Sequence, residues 1–255
     1  SRLLKFDDLN KKLQVQTVCS RGPSPYDYFS SDYLVKVNGS TLFSWGCINP
    51  GDPISNLQFV IIDSLTGEPW INSKNPATGK GRFGSIVPCR RTTNNIDYFD
   101  PFFEFEIDNL ANRNTVIAFF DSIPHGNYIM MRNRVCIGAS CGVKNTKFIK
   151  NWMADTIING SNQSLYHTIK NIGFTQIDSF TKNRPFSFFM KKGDPNSIVQ
   201  NVGIDSTVKL IAEYDFKSFL FAGDMSSDKI GPARTWTNFF RKGYTLDAGA
   251  GDTST

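Results

Sequence analysis

The chain has 255 residues, 40% of them apolar, enough for one large domain with a buried core. Its net charge of +5 comes from scattered pairs such as Lys11-Lys12, Arg90-Arg91 and Lys191-Lys192 rather than from one basic element, which argues against nucleic acid as a partner. No apolar run approaches the ~20 residues that a membrane helix needs, and the 22 Phe, 20 Gly and 12 Pro point to short strands joined by turns.

Residues 1–30 begin polar and reach the turn-rich Arg21-Gly-Pro-Ser-Pro25, so they read as a tail or linker. The first ten residues lack an apolar signal core, as expected of a piece of a larger chain or of a chain whose signal has been removed. From Asp32 the pattern alternates through Tyr33, Val35 and Val37, and Asn38-Gly39 makes a hairpin turn into Thr41–Trp45. Leu57–Asp63, LQFVIID, reads as a buried strand that ends in the turn Leu65-Thr-Gly-Glu68, with a return strand near Trp70. Asn72–Asn95 reads as a long surface loop: its Gly79-Lys80 pair lacks the spacing of a phosphate-binding loop. In Tyr98–Ile107, Phe103, Phe105 and Ile107 alternate with Glu104 and Glu106, as in a half-buried strand with both Glu on the wet face.

Asn114–Ile123 reads equally as strand or as helix. Asn127–Arg132 reads as strand, Arg134–Asn145 as loop, and Phe148–Ile158 as a short helix. Ser164 is a good N-cap for a helix with Leu165, Ile169 and Ile172 on one face and Gly173 at its end. The run Phe186–Met190 is too apolar for water and reads as a buried strand that the helix covers. Asp205–Glu213, Asp215–Ala222 and Trp236–Lys242 read as further strands.

Chemistry-bearing patterns are few. His125 sits in a turn and His167 on a helix boundary, without a GxSxG or HExxH context, so no catalytic residue is assigned. The five Cys form no CxxC and have no nearby His, so neither metal nor cofactor is expected. Cys136 and Cys141 are close enough in sequence to bridge a short loop, and Cys19 can reach Cys47; an odd count leaves at least one thiol unpaired within a monomer. Aromatic residues near strand ends, such as Trp45, Trp70 and Trp152, suit either core packing or contact with a sugar or a partner protein.

In order along the chain, LQFVIIDSLTG (57–67), VIAFFDSIPHG (116–126), 127–132, LYHTIKNIGF (165–174) and FSFFMKKG (186–193) resemble the interleukin-like EMT inducer domain, also called the GG domain. In that family an apolar strand ends in D-x-x-T-G, a helix ends in S-I-x-x-G, a strand follows, and a strand after the next helix closes in an apolar run plus K-G. The resemblance covers about residues 30–195 and implies a helix over 116–123. The phrases at Ser164–Phe174, Ile177–Phe186 and Ile230–Trp236 are similar to those of this domain in PorU-like sortases of the type IX secretion system of Bacteroidota. That implies an extracytoplasmic, surface-associated protein whose peptidase domain lies elsewhere, this region being accessory.

Some relatives in the family bind carbohydrate through an Arg near the start of the last strand and an Asp after the middle strand. Those positions fall here on Asn183, with Arg184 next to it, and on Arg132 and Asn133. The resemblance therefore implies these four as ligand-binding candidates. The expected fold is mixed α+β: β-sandwich-like sheets flanked by two or three short helices over 31–195, after a tail at 1–30, with a β-rich segment at 196–255. The expected function is non-catalytic, with a protein partner or a surface glycan; a carbohydrate-binding module and a hydrolase are the alternatives.

Overall fold

Strand-forming runs dominate the computed structural model, which describes residues 9–18, 34–44, 55–73, 83, 99–107, 109–135, 152–180, 184–205 and 208–218. The chain divides into two compact units, Ser1–Phe221 and Ala222–Thr255, the second outside the described residues. The first unit holds β1 (Leu9–Thr17), β2 (Leu34–Val37), β3 (Ser40–Ser44), β4 (Ser55–Ile62), β5 (Asn72–Ser73), β6 (Phe99–Asp100) and β7 (Phe103–Glu106). Helix α1 (Leu110–Ser122), β8 (Tyr128–Val135), α2 (Thr156–Asn159), α3 (Leu165–Asn171), a 3-10 turn (Thr175–Ser179), β9 (Phe186–Lys191), β10 (Asp194–Val202) and β11 (Leu210–Ser218) follow.

Two antiparallel sheets result, one in the order β11-β1-β2-β3 and one in the order β10-β9-β8-β4-β7, with β5 and β6 as a separate pair. The five-stranded sheet is the middle layer. One of its faces carries Leu57, Phe59, Phe105, Met131 and Phe188 and is covered by α1 and α3; the other carries Val60, Met130 and Phe189 and meets Leu13, Val15, Val35 and Tyr214 of the four-stranded sheet. Covered on both sides, its central strands β4 and β9 read as continuous apolar runs. The expected fold class holds: mixed α+β, two antiparallel sheets and a few short helices.

Helix α1 resolves the ambiguity at 114–123. Asn109 caps it, its side chain accepting from the Asn112 N–H (2.9 Å), and the Phe119 ring fits among Phe59, Phe103 and Phe105 at 4.8–5.6 Å between centroids. Helix α3 has the expected Ser164 cap and ends at Gly173, whose φ of +103° favours glycine. Leu165 and Ile169 of α3 are buried, and Phe174 packs on Phe186 and Phe188 at 5.0 and 5.3 Å. The Asn38-Gly39 hairpin forms with positive φ at both residues, as its short turn demands.

Several boundaries differ from expectation. Residues 9–17, assigned to a linker, form β1, a central strand between β11 and β2. Its buried inward positions are Lys11, Leu13, Val15 and Thr17, too few apolar residues to announce a strand. Asp194–Val202, across the expected boundary at 196, is β10, and β11 is one strand where two were expected to break at Tyr214. The sandwich therefore needs segments from beyond 31–195 to complete both sheets. Near Trp70 the return is short: Pro69 bridges Ile62 and Trp70 N donates to Ile61 O (2.8 Å), the two-residue β5 that follows pairs with β6, and β7 and β8 are the ladder neighbours of β4. Glu104, expected on a wet face, is 4% exposed, because the strand that carries it lies in the middle layer.

Candidate functional site

Three of the glycine-ended motifs meet at one end of the five-stranded sheet, where Ile62, Tyr128 and Lys191 are register neighbours. Asp63 Oδ1 accepts from the N–H groups of Leu65 and Thr66, both at 2.9 Å, and Gly67 N donates back to Asp63 O (2.8 Å). Gly67 has φ +66°, and a Cβ there would stand 2.5 Å from Ser218 Cβ and 2.8 Å from Lys11 Nζ. Lys11 Nζ donates to Thr66 O (3.1 Å), Gly67 O (3.2 Å) and Glu68 (2.9 Å), tying β1 to this turn. Lys192 closes the C-terminus of α1 by donating to Phe120 O (2.5 Å) and Ile123 O (2.6 Å), and burial pushes its ammonium below the usual lysine range. Gly193 leaves room for His125, whose Nδ1 would be 2.5 Å from a Cβ. The motifs thus have structural work to do.

The implied ligand-binding residues separate. Arg132 projects between the two sheets and is 0% exposed. Its Nε donates to Gln58 Oε1 (2.7 Å) and its Nη1 to Gln16 O (2.6 Å) and Leu34 O (3.4 Å). Glu104, Gln58, Arg132, Ser187 and Asn201 are successive register partners, so a polar row crosses the middle layer on its inner face. The row ends at Tyr214, whose hydroxyl meets Ser187 Oγ at 2.5 Å and accepts from Asn201 Nδ2 (3.1 Å); burial raises its pKa. Arg132 is therefore a buried crosslink between the sheets, and no face of it is open to a surface ligand.

Asn133, one residue on, points the other way. Its amide donates to Arg184 O (2.8 Å) and accepts from Phe186 N (2.8 Å), fixing the entry to β9. Asn133 and Arg184 are thus together, with Arg184 half-buried, while Asn183 and the cysteines 19, 47, 89, 136 and 141 lie outside the described residues.

One Ser–His pair exists: Ser164 Oγ lies 2.8 Å from His167 Nδ1. Ser164 is 0% exposed and its oxygen is spent capping α3, so it cannot attack a substrate. His125 is exposed in its turn. On the helical side, Tyr166, Lys170 and Asp178 form a surface cluster that pins the 3-10 turn to α3; the Lys170 ammonium, then the Tyr166 hydroxyl, hold Asp178 below the usual carboxylate range.

No family model matches this chain, and no curated protein matches it.

Among the described residues, a groove of about 560 Å³ lies open between the outer edges of β10 and β11. Phe189 and Tyr214 form its floor, with Asp194, Ser197 and Val199 on one wall and Glu213, Asp215 and Lys217 on the other. The floor rings are stacked on each other, Phe189 to Tyr214 at 4.8 Å and Phe189 to Tyr128 at 5.7 Å, so their faces are taken. Tyr128 Oη donates to Lys217 O (3.1 Å) and accepts from Lys217 N (3.2 Å), so both backbone groups of Lys217 point out of the sheet. The β1–β11 register is unbroken, and antiparallel alternation makes the backbone groups of Asp215, Glu213 and Ile211 point the same way. Among the described residues, no protein group meets those of Glu213 and Asp215. Sequence reasoning missed this site because it put a strand break inside β11; the alternation of Ala212, Tyr214 and Phe216 with charged residues was the available signal.

Among the described residues no helix is long and apolar enough to cross a membrane, which says nothing of a β-barrel, and no three His, Cys, Asp or Glu gather as metal ligands.

Proposed function

We propose that this chain is a non-catalytic interaction module of a larger extracytoplasmic, surface-associated protein, in line with its resemblance to the GG domain and to PorU-like sortases of the type IX secretion system. The groove beside β11 carries this reading. It is open and lined by both apolar and charged groups, whereas the Ser–His pair and Arg132 are consumed by capping and crosslinking. Assays with activated esters and unstructured peptides test it: no turnover above buffer is expected, and turnover that His167→Ala or His125→Ala abolishes would sink the proposal.

A glycan-binding reading has one observation in its favour. Asn133 and Arg184, implied together by the resemblance, are neighbours at the entry to β9. A glycan array probed with wild type and Arg184→Ala decides it. Signal lost in the variant supports the glycan, and an array that stays at background removes it.

A further inference from the structure

The groove offers more than shape. Its β11 wall carries outward N–H and C=O groups at Glu213 and Asp215, spaced as one side of a β-ladder, and such groups are complementary to another extended backbone rather than to a sugar or a lipid. Natural sheets blunt exposed edges with proline, bulges or covering loops. The neighbouring edge strand β10 does so, with Pro195 and a register shift between Asp194 and Val199. Strand β11 has neither proline nor bulge: its nine residues pair without interruption to β1, and among the described residues Tyr128 closes its Lys217 end, while no group meets the backbone of Glu213 and Asp215.

Side chains on the same edge fit an added strand. Ile211 is 66% exposed on the solvent face of β11, and Val199 is 43% exposed in the groove. A strand laid against β11 covers both, because its side chains alternate between groove and solvent face. Self-pairing of two copies is disfavoured by charge. The strand's outward residues near the centre are Glu213 and Asp215, and an antiparallel register centred on Glu213, on Asp215 or between them sets carboxylates opposite each other.

We propose that the outer edge of β11 is a docking site for an extended segment of a partner polypeptide, which adds as a further strand and hydrogen-bonds the backbone of Glu213 and Asp215. The segment carries apolar residues at alternate positions, to meet Val199 and the floor of the groove. This rests on the interaction-module reading and names its partner class.

The test uses the full 255-residue chain and a random linear peptide library displayed on phage, with enriched peptides then synthesised. The expected result is slowed hydrogen exchange at the Glu213 and Asp215 amides on peptide binding. Asp215→Pro removes an outward N–H without touching the ladder to β1, and it is expected to weaken binding by at least about tenfold, while Asp215→Ala changes it by less than about twofold. Should the proline variant misfold, as judged by near-ultraviolet circular dichroism, exchange in the wild-type protein decides alone. The proposal is overturned if no peptide enriches, if bound peptides leave Glu213 and Asp215 unprotected, if Asp215→Ala weakens binding as much as Asp215→Pro, or if the two amides are already protected by self-association. Peptides that bind elsewhere overturn the edge site and leave the interaction module standing; turnover lost in His167→Ala removes the module itself.

Discussion

Two rows of polar groups run across this sandwich, and they do opposite things. The inner row, Gln58, Arg132 and Ser187, is sealed between the sheets and its hydrogen bonds bind one sheet to the other. The outer row at β11 lies in water, where Lys12 donates to Glu213 and stands 3.8 Å from Asp215, and Gln14 donates to Glu213 at 2.8 Å. An arginine is the residue that looks like a ligand contact, yet burial makes it architecture. The backbone of a plain strand looks like architecture, yet its exposure makes it the open surface. Residue type alone does not assign the role; what surrounds the group does.

The largest effect that can break this comparison is Arg132→Ala. It leaves a void between the sheets and strands the acceptors on Gln58, Gln16 and Leu34, so a loss of about 3–5 kcal/mol is expected in urea unfolding. A loss below about 1 kcal/mol would mean that Arg132 is not the crosslink described. Gly67→Ala comes next, because it tests the turn that joins the ends of the two sheets. The new Cβ meets Ser218 and Lys11 at a positive φ, and about 1–3 kcal/mol is expected from the same measurement.

A pH series probes the outer row. The hydrogen bond from Gln14, then that from Lys12, holds Glu213 below its ordinary value of 4.5. A depressed carboxylate stabilises the fold fully above its unfolded pKa, and this part is lost as pH falls through the lower, folded value. Glu213→Gln is therefore expected to lower stability slightly at neutral pH, where the ionised carboxylate contributes, and to leave it unchanged well below pH 4.5, so that the acid limb of the stability curve flattens. A loss of the same size at acid as at neutral pH would show that the contact is not electrostatic. The smallest effect belongs to Lys12→Ala: its side chain is 58% exposed and solvent screens both carboxylates, so no resolvable shift of the urea midpoint is expected.

The same contrast explains which elements the sequence revealed. Strands β4, β8 and β9 lie in the middle layer, so runs such as LQFVII and FSFFM announced themselves. Helix α3 was legible from its Ser164 cap, its apolar spacing and Gly173, all local signals. Strands β1 and β10 were not, since β1 buries a lysine at one inward position and β10 is largely exposed. The candidate site was less legible still. Arg132 was picked out by position along a motif, which carries no information about which side of the sheet it faces. The groove is made by two strands that the expected boundaries placed outside the domain or broke in two.

By itself, then, the order of residues determined the Asn38-Gly39 hairpin, the capped helix over Leu165–Asn171 and the buried strands around Phe59 and Phe188, because each rests on contacts between chain neighbours or on a run too apolar to be wetted. Only the tertiary structure decided that β1 and β11 complete the second sheet, that Arg132 is sealed while the backbone of Glu213 meets no group among the described residues, and that the Ser164–His167 pair is a cap. Burial and edge exposure depend on which distant segments arrive on either side of a strand, and a local pattern holds no record of that.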